Sequence, residues 1–450
     1  MGPLGYDTND LPQFGRSASD DILPAEEWSR SSWVESLGVQ AAIYATPAVL
    51  QYAQMSEQVL RPGAPGRMAS FMHERVPAGP DFHAFRAPNV DTLYSNAWVR
   101  VGEEPVELRL PDFGERYFTV QVVDAYSNSI NISARTFGAA AARYWLVPPD
   151  WSGEVPDDVT VVRVATAIIW LLLRIQVLDG DLGVVHELQD HVTVAGGAPG
   201  GDLGPVMGAA EVEDDWRAFY RAFDAVLRLN AFPCDEWAHV RQFRGLGLLG
   251  PSPWDPAALD AATAGALERS FATAQALLRS SRPQLGVATG TGWTRVLDKG
   301  AHGHNFLARA VMNHVGLGAN VAEENTSFNT HVDSAGRRLA GRDGPYFLEF
   351  AVQPPQTAFW SVTLYHAETG RLYANPAHRH SLGSAALAGN GGSARLVLSH
   401  ADPGAANWLP CPESEFYLIL RIYSPGREVI AGSWLPAPVR REAGAGDDGL

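Results

Sequence analysis

Hydrophobic spacing divides the chain into four textures. From Trp28 to about Leu60, Val39, Ile43, Pro47, Leu50 and Ala53 recur at three- and four-residue steps, with Tyr44 and Tyr52 flanking. That spacing predicts a helix. From Phe85 to Arg163 the period falls to two, in TLYSNAWVRV, VELRLPD, YFTVQVVDAY, SINISAR, YWLVPPDW and VTVVRV. Val106, Leu108 and Leu110 alternate with Glu107 and Arg109, the pattern of a half-buried strand. Short strands separated by Pro, Gly and Asp predict an antiparallel β-sandwich rather than βαβ units.

Helical spacing returns at about Thr166. It covers LGVVHELQDH (182–191), Asp214–Leu229, Pro233–Phe243, Pro256–Ser280 and Ala301–Val315. AGGAPGGDLGP (195–205) reads as a linker, and Asp255-Pro256 as a helix start. The longest apolar run, ATAIIWLLL (165–173), is closed by Arg174 and suits a buried helix or strand. It falls short of the ~20 residues a membrane helix needs. A second β region runs from about Asn325 to Val439, with YFLEFAV, AFWSVTLYH, ARLVLSH and FYLILRIYS. There Phe359, Ser361, Thr363 and Tyr365 take one strand face, and Trp360, Val362 and Leu364 the other. Long Gly/Pro-rich connections predict a jelly-roll sandwich.

The fold class expected is therefore α+β and multidomain: an N-terminal antiparallel β-sandwich, an α-helical middle domain and a C-terminal jelly-roll β-sandwich. The boundaries expected are a flexible tail at 1–27, a helical segment at 28–84, the sandwich at 85–165, the helical domain at 166–324, the jelly roll at 325–441 and a tail at 442–450. A length of 450 residues agrees with several cores rather than one. A formal charge of −16 argues against nucleic acid as a partner. Cys234 and Cys411, far apart, offer neither a disulfide framework nor a cysteine zinc site. Lys299 is the one lysine, so Schiff-base chemistry would have to use it or the N-terminus. The first thirty residues lack a basic and an apolar leader region, which predicts a soluble cytoplasmic protein with no membrane partner. A homodimer is the default expectation for assembly.

Chemistry gathers in the turns of the two β regions. RAPNVDTLYSNAW (86–98) carries Asn89, Asp91 and Tyr94, and reads either as an Asx turn or as a polar rim at one end of a sandwich. DAYSNSIN (124–131), NPAHRHSLG (375–383) and NWLPCP (407–412), the last followed by Arg421 and Tyr423, read as solvated loops or as further parts of that rim. His302/His304 and His378/His380 have His-x-His spacing, which on a strand turns both imidazoles to one side. GLGLLG (245–250) follows a helical stretch and precedes prolines, the wrong context for a dinucleotide site. His186 and His191 are five apart, so VHELQDH is not a zinc-protease motif. Cys411 between two prolines reads as structural. Asp91 and Asp124, brought together in a dry pocket, would form an acid/base pair.

RAPNVDTLYSNAWV with RYFTVQVVDAYSN, YWLVPPDW and the VHELQDHV helix resembles the DUF1254 family. LAGRDGPYFLEF, AFWSVTLYH, NPAHRHSLG, NWLPCP and LRIYSP resemble the DUF1214 family, the usual C-terminal companion. The resemblance covers roughly Gln40 to Arg441. It implies the same sandwich, helical middle and jelly roll, and it implies no reaction. Family members often begin with an export signal, and they carry Arg-Tyr-Ser where this chain has Arg379-His380-Ser381. Imidazole here stands where the family has an aromatic hydroxyl.

The function expected is a soluble, organic-cofactor-independent enzyme using acid/base chemistry (elimination, hydration, cyclisation or hydrolysis) on a small, largely apolar metabolite of secondary metabolism. Asp91, Tyr94, Asp124 and His380 are the catalytic candidates. Asn89, Trp360, Tyr365, Arg379 and Arg421 are the substrate-binding candidates. No metal and no cofactor are assigned. The alternatives are a non-catalytic binder of a lipid or sugar-like ligand, and a jelly-roll metalloenzyme built on His378/His380.

Overall fold

A computed structural model describes residues 24–82, 87–197, 201–230, 233–387 and 392–442. Most of both expected tails, and Arg86 of the first polar motif, lie outside the described residues. The chain is α+β and multidomain.

The strands of the N-terminal half are β1 (Met72–His73), β2 (Thr92–Arg100), β3 (Val106–Leu110), β4 (Phe118–Val123), β5 (Ser129–Ser133), β6 (Ala142–Val147), β7 (Val159–Arg163), β8 (Ile168–Gln176) and β9 (Thr193–Gly196). They form two sheets, in the orders β1-β2-β8-β4-β5 and β7-β6-β3-β9. Val99, Val106, Leu108, Val120, Leu146 and Leu171 belong to the single core between them. The period-two pattern of β3 thus buries one face, as half-buried strands do.

Thr166 does not open a helical domain. All nine residues of β8 are buried, and they form the centre of the first sheet. Ile169, Leu171, Leu173 and Ile175 point into the inter-sheet core, while Ile168, Trp170 and Leu172 join the core under the helices. A strand covered on both faces loses its polar alternation, so ATAIIWLLL carried no period. Nor is the expected linker from Ala195 wholly a loop, since β9 pairs with β3 there.

The helices pack on the other face of the first sheet. The first helix (Glu27–Met55) lies against helices Trp216–Leu229, Ala261–Ser281 and Phe306–Val315. A Cβ on Gly38 would stand 2.2 Å from the Ser270 hydroxyl, so only glycine lets two of these helices meet so closely. Asp255 caps no long helix: it serves a single 3₁₀ turn, Pro256–Ala258. Asp260 starts the helix that follows, accepting from the Thr263 amide at 2.9 Å.

The C-terminal half has β10 (Val287–Ala288), β11 (Thr294–Val296), β12 (Asn325–Thr330), β13 (Tyr346–Phe350), β14 (Gln356–His366), β15 (Ser381–Gly383), β16 (Ala394–Ser399), β17 (Trp408–Pro410), β18 (Phe416–Pro425) and β19 (Arg440–Arg441). Its sheets run β10-β11-β12-β18-β14-β15 and β17-β16-β13-β19. The second β region therefore begins at Val287 rather than Asn325. Trp360, Val362, Leu364, Leu418, Leu420 and Ile422 fill the core between the sheets. Their alternate neighbours, from Phe359 to Tyr365 on β14 and Ile419 to Tyr423 on β18, face outward. That outer face covers one end of the N-terminal sheet.

Candidate functional site at the seam between the two β units

The site arises where the first sheet changes what covers it. On its helix-facing side Trp98, Trp170 and Leu172 are apolar and lie under the helices. One step along, Tyr94, Arg174 and Thr119 stand level on β2, β8 and β4, next to Gln121. This polar end is covered by the segment before β12 and by the outer face of the C-terminal sheet. Gln121 Nε2 donates to the Ala319 carbonyl at 3.0 Å, and Arg174 Nη2 to the Gly318 carbonyl at 2.9 Å. Asn131 Nδ2 donates to Asn320 Oδ1 at 2.8 Å, and Arg135 pairs with the buried Glu324 carboxylate at 3.0 Å. Opposite, strand register sets two rows: Ser327, Arg421 and Ser361, and beside it Asn325, Tyr423 and Phe359.

Asp91 crosses this seam. The Asx-turn reading is correct, and the turn is what aims the carboxylate. The Asp91 amide donates to Asn89 Oδ1 at 2.6 Å, and Asn89 Nδ2 donates to Thr92 Oγ1 at 2.8 Å. Asn89 is thus a positioning residue. Three hydroxyls of the C-terminal unit converge on the Asp91 carboxylate: Ser361 at 2.6 Å, Ser381 at 3.2 Å and Tyr423 at 3.2 Å. Burial, then the Asp91 charge, pushes the ionisation of Tyr423 well above the usual phenol range, so it stays an O–H donor.

Arg421 stitches the same seam. Its guanidinium donates to the Tyr365 hydroxyl at 2.9 Å, to Thr363 Oγ1 at 3.3 Å and to the Ala87 carbonyl at 2.9 Å. Tyr365 passes the contact on, donating to the Pro88 carbonyl at 2.7 Å. Tyr94 lies beneath the Arg174 guanidinium, 5.1 Å from ring centre to Cζ. Asn89, Asp91, Tyr94, Tyr365 and Arg421 are therefore brought to one seam.

Lys299 completes it. The side chain is only 7% exposed, and Nζ donates to Asn325 Oδ1 at 3.3 Å. Burial lowers its pKa to about 7, helped by the nearby Arg421 and Arg174 charges and opposed by Glu323. The one lysine of the chain thus holds a proton that is in play near neutrality.

Four candidates lie elsewhere. Asp124 binds its own turn, accepting from the amides of Tyr126 (2.8 Å) and Asn128 (2.9 Å). It follows Val123, which pairs with Trp170, whereas Asp91 precedes Thr92, which pairs with Gln176. Six residues of β8 separate the two levels, roughly 20 Å at strand rise, so the two carboxylates form no pair. Trp360 is wholly buried in the C-terminal core, with Nε1 donating to Gln353. Strand alternation sends it away from Phe359 and Ser361, so Trp360 and Tyr365 cannot both face the seam. Arg379 turns toward the other C-terminal sheet and donates to the carbonyls of Trp408 (2.8 Å) and Ala406 (3.3 Å). The His380 ring meets Asn375 at 3.4 Å rather than Asp91, and burial lowers its pKa.

His378 sits in a turn with φ of 49°, so the strand face that would align it with His380 is not formed. His302 and His304 also separate, bonding Asp298 and Asp235 respectively. Among the described residues no three His, Cys, Asp or Glu side chains are placed to hold a metal ion. Burial pushes the Cys411 thiol up to about 12, as suits a structural cysteine.

Sequence reasoning singled out Lys299 and Tyr423 without placing them among the site residues, and it did not select Arg174, Ser361 or Ser381. Ser361 and Tyr423 were within reach: Tyr423 stands two residues along its strand from Arg421, and Ser361 lies on the same strand face as Tyr365, four residues away. Nothing local marked Arg174, which ends an apolar run.

An open groove of about 850 Å³ runs beside the seam, lined by Phe113, Arg116, Gln176, Leu178 and Phe359 among others. Phe359 stacks on Tyr423 with ring centres 4.1 Å apart, and Tyr117 meets Tyr423 edge-on at 5.1 Å. One aromatic layer therefore separates the groove from the Asp91 hydroxyl cluster.

A protein from Vibrio parahaemolyticus solved by a structural genomics consortium has the same fold, with a TM-score of 0.71 at 21% identity over 91% of this chain and 100% of that one. An uncharacterised Burkholderia cenocepacia protein aligns at a TM-score of 0.44 and 13% identity over 93% of this chain and 90% of that one. No curated protein matches the sequence. Residues 68–196 match DUF1254 and residues 324–427 match DUF1214, each described as a protein of unknown function. In that order and at those positions, the two matches make this chain a member of the DUF1254/DUF1214 family.

Proposed function

We propose that the protein is an organic-cofactor-independent enzyme that moves protons on a small, largely apolar molecule at the seam, in an elimination, hydration, cyclisation or hydrolysis. The observation that carries this reading is Lys299, a buried amine with a pKa near 7 bonded to Asn325, whose strand partner Tyr423 reaches the Asp91 carboxylate. A general base or acid works best when its pKa lies near the operating pH. Lys299 exchanges the proton, while Tyr94 and the hydroxyls held by Asp91 orient and hydrogen-bond the reacting molecule. The apolar body of that molecule enters along the groove at Phe359. The C-terminal two-sheet unit, read as a jelly roll, forms one wall. The expected site of action is the cytoplasm; no helix among the described residues is long and apolar enough to cross a membrane.

The test is conversion of small molecules in a cell extract, followed by mass spectrometry. Wild type should deplete at least one compound, and Lys299→Met and Asp91→Asn should slow that at least 100-fold while both variants stay folded. Equal rates in wild type and Lys299→Met would refute the reading. The aromatic groove also supports a binding protein, and capture of a compound by wild type without conversion would favour that instead.

A further inference from the structure

We propose that the molecule handled at this seam is a carboxylic acid, whose anionic head seats beside Arg174 and Arg421 while its apolar body lies toward the groove at Phe359. The inference shares its site with the proposed enzyme and does not depend on turnover.

Arg174 and Arg421 are each 9% exposed, and Lys299 is 7% exposed. Arg174 donates to Gln121 Oε1 and the Gly318 carbonyl. Arg421 donates to two hydroxyls and the Ala87 carbonyl, and Lys299 to an amide oxygen. Among the described residues none of the three forms an ion pair; all are served by neutral dipoles. Buried charges are ordinarily paired, because an unpaired one loses its hydration without compensation.

The nearby carboxylates do not fill the role. Asp91 is close enough to offset part of the Arg421 charge, but its oxygens bond three hydroxyls and neither reaches a guanidinium or the amine. Glu324 is held through Oε2 by Arg135 and Ser133, and although its buried Oε1 has no partner, no hydrogen bond or ion pair joins it to Arg174, Arg421 or Lys299. Glu323 is exposed to water, which screens it. Beside Lys299, Asn325 Nδ2 is a buried donor with no acceptor. Buried positive charge and a spare donor together call for an anion. A planar carboxylate suits guanidinium geometry, and Phe113, Leu178 and Phe359 offer a hydrocarbon body apolar surface in a groove that Asp112, Glu115 and Arg116 also line.

A consequence follows for Lys299. The charged and titratable groups facing it are Arg174 on β8, Arg421 on β18 and Glu323 before β12. An added anion among them favours the protonated amine. Binding of the acid at pH 8 should therefore take up a proton.

The experiment is calorimetric titration of the full chain at pH 8 with phenylacetate and octanoate, in two buffers of different ionisation enthalpy. Phenylacetamide, octanamide and inorganic phosphate are the comparison probes. At least one acid should bind tenfold or more tightly than its amide and than phosphate, with uptake of more than half a proton per site. Lys299→Met should still bind the acid without the uptake, and Arg174→Gln should weaken binding at least tenfold. Acids that do not bind, acids and amides that bind alike, tighter phosphate, or uptake unchanged in Lys299→Met would each overturn the proposal. The wild-type comparisons stand even if Arg174→Gln fails to fold. Acid binding with proton uptake by a protein that converts nothing would sink the enzymatic reading and leave this one standing.

Discussion

Lys299 offers the sharpest single prediction, because the chain has no other lysine. Selective labelling of its ε-carbon should give one lysine signal, with no assignment needed. In an unfolded chain the amine titrates at 10.5; in the folded seam burial and the two guanidinium charges bring it to about 7. The NMR titration midpoint should therefore fall near 7. The linked effect on stability has a definite sign. Between pH 7 and 10.5 the unfolded state binds the extra proton, so stability rises with pH across that window. Below pH 7 both states carry the proton and the burial penalty is complete. At about 1.4 kcal/mol per pH unit the ceiling is about 5 kcal/mol, of which about 2 kcal/mol is recovered between pH 7 and 9. Lys299→Met carries no such term. Relative to wild type it should be most stable at pH 6 and lose that advantage steadily to pH 9, in urea unfolding or thermal melting. Tyrosines and Cys411 titrate alike in both proteins and cancel. A midpoint above 9.5, or a stability difference flat from pH 6 to 9, would refute the reasoning and remove the amine from the proposed chemistry.

Other outcomes follow from the same contacts. Asp91→Ala leaves Ser361, Ser381 and Tyr423 without their shared acceptor, and should destabilise the protein by about 2–4 kcal/mol in urea; a loss under 0.5 kcal/mol would show the seam to be loose. Trp360→Ala should cost about 3–5 kcal/mol as a core truncation, while Arg379→Ala leaves ligand affinity unchanged within twofold by calorimetry. Gly383→Ala should lower the melting temperature by several degrees, since the added Cβ would stand 2.1 Å from the Trp360 carbonyl oxygen and force β15 off β14. Alkylation at pH 8 with peptide mapping should leave Cys411 unmodified in the native protein and label it in urea, its thiol being pushed up to about 12.

Several site residues were legible because local chemistry and tertiary role coincide. Asn89 and Asp91 make an Asx turn from their own spacing, and that turn points Asp91 across the seam. Arg421 and Tyr365 lie on strands whose alternation was visible, and the outward face proved to be the covered one. Trp360 failed for the same reason, since one strand cannot turn adjacent residues to one side. Asp124 failed because composition gives no distance: both acids sit in turns, but at opposite ends of one sheet. His380 and Arg379 belong to a loop whose polar groups are spent on its own amide and on neighbouring carbonyls.

The sequence alone determined which segments alternate, where helices recur and that two β units flank a helical region, because side-chain period is a local property of the backbone. It also determined that one lysine would carry any amine chemistry. Only the tertiary structure decided that ATAIIWLLL is a central strand, since burial on both faces erases the period. It alone brought Arg174, Arg421 and Lys299, some 250 residues apart at the extremes, into one dry seam, because charge compensation depends on distance in space and not along the chain.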